Sequence, residues 1–334
     1  MLKTKYKRPT LQDIATHLGI TKMTVSRYLR NPDSVALETQ KKIAVAIETF
    51  GYIPNRAPEI LANSKSQAIG VLVPSLTNQV FADVIKGIEL VTDNEGYQTM
   101  LAHYGYSKEK EEQRIESLLS YNVDGLILSE NEHTEKTLKM LEIAQIPVIE
   151  IMESNHIGIY QSIGFDNIAA AESIVETMIN KGHKNIIYFS ARMDKRTQLK
   201  MQGYEQAMLK YGLTPYSLTT EEASSFTLGA KQLRQALQLH PQIDGIFCTN
   251  DDLAIGALFE CQRQGILVPE QIAIAGFHGL DVGQSLTPQL ASVITPRLEI
   301  GKISATELLN QIHGATPKTS IINLGYKIHL GESI

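Results

Sequence analysis

From Ser66 onward the sequence alternates repeatedly between short apolar runs and longer stretches with helical spacing, and few folds accommodate that rhythm. The runs at 69–73, 98–102, 125–128, 148–151, 186–190, 245–248 and 272–275 predict strands. Amphipathic stretches at 81–94, 109–120, 169–181, 198–211, 228–239 and 253–264 predict the helices between them. Near-continuous apolar strands separated by helices imply parallel sheets covered on both faces. There is also an internal echo. Val123-Asp124-Gly125-Leu126-Ile127-Leu128 returns 120 residues later as Ile243-Asp244-Gly245-Ile246-Phe247-Cys248, each after a Leu-rich helix. Two similar, doubly wound α/β lobes are the simplest account.

The first 63 residues have a different texture. The net charge of −5 is the sum of two opposed parts: residues 1–63 carry ten Lys/Arg and five Asp/Glu, and the other 271 carry 21 and 31. Basic charge gathered on a small N-terminal piece of an acidic chain is the footprint of a phosphate-binding module. Thr10-Leu11-Gln12-Asp13 reads as a capping box, Leu11, Ile14, Ala15 and Leu18 follow at helical spacing, and Gly19 stops the helix. Thr21 caps a second helix with Val25, Tyr28 and Leu29 on its inner face. Two short helices joined by a Gly-containing turn make a helix-turn-helix. The second helix exposes Lys22, Met23, Ser26 and Arg27, which suits a major groove. A third helix over about 37–50, with Ile43, Ala44, Ile47 and Phe50 on one face, closes a small all-α core. Beyond Gly51, Asn55 is placed to cap a short helix with Pro58 in its first turn, where Ile60 and Leu61 have no local core.

Leu11-Gln12-Asp13-Ile14-Ala15, Thr24-Val25-Ser26-Arg27 and Gly51-Tyr52-Ile53-Pro54-Asn55, at these separations, resemble the DNA-binding headpiece of the lactose-repressor family. The resemblance implies a headpiece over 1–63, with a hinge helix at about 55–63, and an effector-binding and dimerisation domain over 64–334. Lys22, Met23 and Arg27 would then read base edges, Arg27 through its bidentate fork on guanine. Thr10, Thr24, Ser26, Thr39 and Asn55 would contact the DNA backbone, Arg56 would also bind DNA, and Leu61 would be the apolar wedge in the minor groove. The body resembles the periplasmic sugar-binding fold that this family uses as its sensor. That implies interleaved lobes, about 64–162 with 294–320 and 163–293 with 321–334, the chain crossing near Ile163, Val293 and Ile321. The implied partners are operator duplex DNA, a small-molecule effector and a second copy of the chain, as a dimer or a pair of dimers, with no cofactor and no metal.

For the interlobe cleft, the resemblance assigns Asn78, Tyr104, Asp194, Arg196, Lys200, Asn250 and His278 to the effector. Three positions depart from the family pattern. His278 stands where many sugar-binding relatives carry a carboxylate, Met152 replaces an acidic residue, and Lys200 occupies a position where Arg is frequent. Removing carboxylates while keeping Arg196 and Lys200 favours an anion, whereas a neutral sugar prefers carboxylate acceptors. The expected effector is an anionic polyol such as an aldonate. Within the family the likeness is strongest to gluconate-responsive members, through Thr21-Lys22-Met23-Thr24-Val25-Ser26-Arg27 and Ala275-Gly276-Phe277-His278-Gly279. It implies gluconate, or a related sugar acid, as the signal that releases the repressor from its operator.

Other classes lack their signatures. There is no Gly-x-Ser-x-Gly elbow, no phosphate loop, no His-Glu-x-x-His and no Cys-x-x-Cys, and the nine histidines show no ligand spacing. The apolar runs are too short to span a bilayer, and Cys248 and Cys261 cannot make a disulfide framework. The basic N-terminus lacks the apolar segment of a secretory signal, so the expected compartment is the cytoplasm. A periplasmic-type sugar-acid binding protein would explain the body but not the headpiece. An α/β sugar enzyme would share the fold without a catalytic motif.

Overall fold

The structure, a computed structural model, describes residues 8–55, 65–155 and 160–334. It divides into two compact units, Met1–Ser66 and Gln67–Ile334. In the first unit, α1 (Leu11–Leu18), α2 (Lys22–Arg30) and α3 (Leu37–Phe50) enclose Ile14, Ala15, Val25, Ile43, Ala46 and Tyr52. The expected capping box is present: the Thr10 hydroxyl accepts from Asp13 N, and Asp13 accepts from Thr10 N at 2.8 Å. Gly19 ends α1 at φ +64, a conformation that costs other residues energy. Ala44, expected on the inner face of α3, is exposed and Ala46 is buried instead. The inward stripe follows i, i+3 and i+7 from Ile43, which passes through 46 and 50 rather than 44. The expected hinge segment beyond Asn55, with Arg56 and Leu61, lies outside the described residues.

The second unit holds two six-stranded sheets of matching topology. The first contains β1 (Ala68–Val73), β2 (Gln98–His103), β3 (Gly125–Leu128), β4 (Val148–Ile151), β5 (Gln161–Gly164) and β11 (Ile321–Asn323). These strands are parallel throughout, in the order β11-β5-β4-β3-β1-β2. The second contains β6 (Ile186–Phe189), β7 (Tyr216–Leu218), β8 (Gly245–Cys248), β9 (Ala273–His278), β10 (Ala291–Ile294) and β12 (Lys327–His329). Its order is β12-β10-β9-β8-β6-β7, with only β12 antiparallel. Strands β1, β3, β4, β6, β8 and β9 are buried along their whole length, which is why most of them read as unbroken apolar runs. The chain passes between sheets after Gly164, Ile294 and Asn323, one or two residues beyond the implied crossings.

The covering helices are α4 (Gln79–Thr92), α5 (Lys108–Ser120), α6 (Glu135–Ala144), α7 (Asn167–Asn180), α8 (Lys195–Lys210), α9 (Phe226–Leu239), α10 (Asp251–Gln264), the single turn α11 (Asp281–Gln284) and α12 (Arg297–Ile312). Several strands carry no apolar run of their own. Gln161-Ser162-Ile163-Gly164 and Lys327-Ile328-His329 extend because a neighbouring strand completes their ladder. For the same reason β9 runs three residues further than its composition predicts: Gly276, Phe277 and His278 pair with Ser292, Val293 and Ile294.

Helices α9 and α10 cross backbone against backbone at Gly229 and Gly256. A Cβ at Gly256 would sit 2.0 Å from the Phe226 carbonyl oxygen, and one at Gly229 would sit 2.1 Å from that of Leu253. Gly256→Ala must therefore push the helices apart, with an expected loss of about 1–3 kcal/mol in urea unfolding. An unchanged midpoint would refute the close crossing.

Candidate functional site

In each sheet the connection direction reverses between the first and third strands, at β1/β3 and at β6/β8, which opens a crevice at their carboxyl ends. The two crevices face one another. Asn78, Phe81, Tyr106 and Met152 from the first lobe, and Arg192, Asp194, Arg196, Thr197, Lys200, Asn250 and His278 from the second, line a cleft with about 30 Å³ of free volume. That is room for one or two waters, so a six-carbon ligand enters only if the lobes separate or side chains move.

Three helices begin at this cleft, and three of the predicted residues are their N-caps. Asn78 caps α4, its Oδ1 accepting from Val80 N at 3.1 Å, while its Nδ2 points at the Tyr106 hydroxyl at 3.4 Å. Asp194 caps α8 by accepting from Thr197 N at 2.9 Å. Asn250 occupies the cap position of α10 without a capping bond, and its Nδ2 donates to Ser224 Oγ at 3.3 Å. Helix N-termini present free N–H groups and a positive partial charge, so their convergence favours an anion.

Lys200, in the second turn of α8, is 2% exposed. Its Nζ donates to the Thr249 carbonyl at 3.0 Å and to His278 Nε2 at 3.0 Å, above the Phe277 ring. Burial pushes the Lys200 ammonium down to about 7. Burial, together with the charges of Lys200, Arg297 and Arg196, holds His278 well below its usual range and therefore neutral. With Nε2 accepting from Lys200, the His278 proton lies on Nδ1, 3.3 Å from Thr295 Oγ1.

Arg196 differs from expectation. Its guanidinium reaches across the cleft to Glu130 Oε1 at 3.1 Å and to the Ser129 carbonyl. Burial opposes its charge, and Glu130 and Asp194 more than restore it. The cleft is thus not stripped of carboxylates: Asp194 stands in its wall and Glu130 directly neutralises Arg196. Tyr104 is also displaced from the expected role. It is 2% exposed and stands behind the wall, donating to Glu130. Gly105 and Tyr106 then adopt φ +62 and +63, and this turn brings Tyr106 to the cleft instead.

The sequence reading missed Tyr106, Arg192, Phe81 and Thr197 as lining residues. The available signal was position, since Arg192 closely follows the end of β6 and Tyr106 follows a turn glycine. Backbone geometry marks the site more sharply. Of the seven non-glycine residues with left-handed φ among the described residues, Tyr106, Met152, Arg192 and His278 line this cleft. Such conformations persist where surrounding structure imposes them, and they concentrate at binding sites.

In the first unit, Lys22, Met23 and Arg27 are exposed on one side of α2, with Met23 70% accessible, whereas Val25 faces the core. Thr24, Ser26 and Thr39 are half-buried, and Asn55 is exposed. The Thr10 hydroxyl donates to Asp13 at 2.7 Å, so contacting a phosphate requires that bond to exchange. No His/Cys/Asp/Glu group among the described residues has the arrangement of a metal site. No described helix is long and apolar enough to cross a membrane.

Residues 10–55 match the family of bacterial regulatory proteins of the lacI type, and residues 66–330 match the periplasmic binding proteins and sugar-binding domain of the LacI family. The chain belongs to the LacI family. It is 56% identical over 330 residues to the HTH-type transcriptional regulator GntR of Escherichia coli K12, covering 99% of this chain and 100% of that one. It is 47% identical over 329 residues to the regulator IdnR of the same strain, covering 98% and 99%. A LacI-family transcriptional regulator from Silicibacter pomeroyi has a solved structure that superposes with a TM-score of 0.91 at 30% identity, over 97% of this chain and 99% of that one. This LacI-family chain is therefore a DNA-binding transcription regulator with a two-lobed sensor. The sugar-enzyme and transport-protein readings are set aside.

Lys200 yields a pH prediction. An ordinary lysine titrates at 10.5 and this one at about 7. Between those values the unfolded chain binds a proton that the folded chain does not, so this group makes stability fall as pH drops from 10.5 to 7. Relative to wild type, Lys200→Met should therefore gain stability over that descent in thermal unfolding. A difference that stays constant from pH 10 to pH 7 would contradict the buried, neutral lysine.

Proposed function

We propose that this regulator represses sugar-acid utilisation genes and leaves its operator when a sugar acid, gluconate first among them, binds in the interlobe cleft. The observation that carries the reading is the convergence on one cleft of three helix N-termini with Arg192, Arg196 and Lys200. A carboxylate fits that field, and the amide, imidazole and carboxylate groups of Asn78, Asn250, His278 and Asp194 suit the hydroxyls of a polyol. The likeness to gluconate-responsive members supports the same ligand. The site acts in the cytoplasm, where operator DNA is available.

On the DNA side, two copies of the chain place two headpieces on half-sites of a near-palindromic operator. Lys22, Met23 and Arg27 read bases, Thr10, Thr24, Ser26, Thr39 and Asn55 hold the backbone, Arg56 adds a further DNA contact, and Leu61 enters the minor groove. The effector favours a lobe arrangement that disfavours DNA-bound hinges, so each ligand lowers the other's affinity by the same factor.

Titrating gluconate into an operator-bound complex should release the DNA, followed by fluorescence anisotropy. DNA retention at saturating gluconate would rule it out as inducer. Arg27→Ala should lose about 1–3 kcal/mol of discrimination between operator and random DNA in competition binding. A protein that still discriminates fully would remove Arg27 from the reading surface.

A further inference from the structure

The cations around the cleft are not equivalent. Arg196 is bound to Glu130 and to the Ser129 carbonyl. Lys200 is buried between the Thr249 carbonyl and His278. Arg192 has no carboxylate within 4 Å among the described residues, and its guanidinium lies over the Tyr106 ring, 4.4 Å from the centroid. Contact with the ring face leaves the guanidinium's N–H donors without a carboxylate partner among the described residues. Those donors form the fork that matches a carboxylate.

Both members of the stack are held in place by backbone conformations that side-chain-bearing residues rarely adopt. Tyr106 has φ +63 and Arg192 has φ +45, and they approach each other from opposite lobes. The Arg192 backbone N–H donates to the Glu222 carbonyl at 3.1 Å, fixing its loop, and Asn78 reaches the Tyr106 hydroxyl. The ring thus holds the guanidinium in place before a ligand arrives, which reduces the ordering required on binding.

We propose that Arg192, stacked on Tyr106, is the residue that receives the effector's carboxylate, with Arg196 and Lys200 shaping the field around it. The assignment rests on the sugar-acid reading of the cleft. It also implies that a ligand bound this way touches both lobes through one ion pair and one ring, linking carboxylate recognition to their relative placement.

Calorimetric titration with gluconate and with its uncharged amide, gluconamide, tests the assignment in the full-length protein. Wild type should bind gluconate more tightly than gluconamide. Arg192→Gln should weaken gluconate binding about 10- to 100-fold and bring the two ligands to similar affinity. Arg192→Lys, which keeps the charge but loses the fork, should fall between them, and Tyr106→Leu should cost about 3- to 10-fold for gluconate. The ratio of the two ligands is internal to each variant, so a general loss of folding does not imitate it. An Arg192→Gln protein that keeps the wild-type ratio overturns the assignment, and a ratio abolished only by Lys200→Met moves the carboxylate to Lys200. Wild type that binds both ligands equally overturns carboxylate recognition but leaves gluconate as a ligand. Wild type that binds no sugar acid overturns the effector reading itself.

Discussion

The cleft is held together by a guanidinium from one lobe in the grip of a carboxylate from the other. Arg196 projects from α8, its side chain 11% exposed, and meets Glu130 and the Ser129 carbonyl on the loop after β3. That loop is itself anchored by a buried triad. His133 Nδ1 lies 3.1 Å from Glu111 Oε1, and its Nε2 lies 3.7 Å from Glu150 Oε1, with all three side chains nearly inaccessible. Burial opposes the imidazolium, but the two carboxylates outweigh it and raise His133 to about 9, so the ring is charged at neutral pH. Removing one member of such a group leaves the other charges buried and uncompensated. Glu132 on the same loop adds a bridge to Lys195 at 3.2 Å.

Around that tie, the duplicated sheet topology accounts for the site's position. Each lobe alone has a crevice where its connections reverse. Facing one another, they gather the N-termini of α4, α8 and α10 on one small volume. The capping side chains Asn78 and Asp194 have a local structural duty as well as a place in the cleft wall. Changes at these positions therefore affect helix ends and the cleft wall together.

Much of the fold was legible because burial leaves a periodic trace. Strands covered on both faces must be apolar along their length, and helices on a sheet must carry a stripe. The residues of β3, β4 and β8 were readable to the residue for that reason. The capping box at Thr10 and Asp13 was equally plain, since it is local chemistry within four positions. What escaped was structure conferred by partners distant in sequence. β5, with two polar residues among its four, is extended because β4 and β11 flank it, and the C-terminal part of β9 is extended because β10 does.

The site divides along the same line. From the sequence, the helix-turn-helix and the loops after the strands pointed to one face of α2 and to a cleft between the lobes, and Asn78, Asp194, Arg196, Lys200, Asn250 and His278 do meet in that cleft. Residue type and spacing sufficed because helix caps and strand ends are short-range features. The sequence could not tell which cation remains available, since that depends on Glu130, 66 positions from Arg196. Nor could it distinguish Tyr104 from Tyr106, because a single left-handed turn sends one ring into the wall and the other into the cleft. Pairing of charges and direction of side chains are set by the packing of remote segments, and only the tertiary structure decides them.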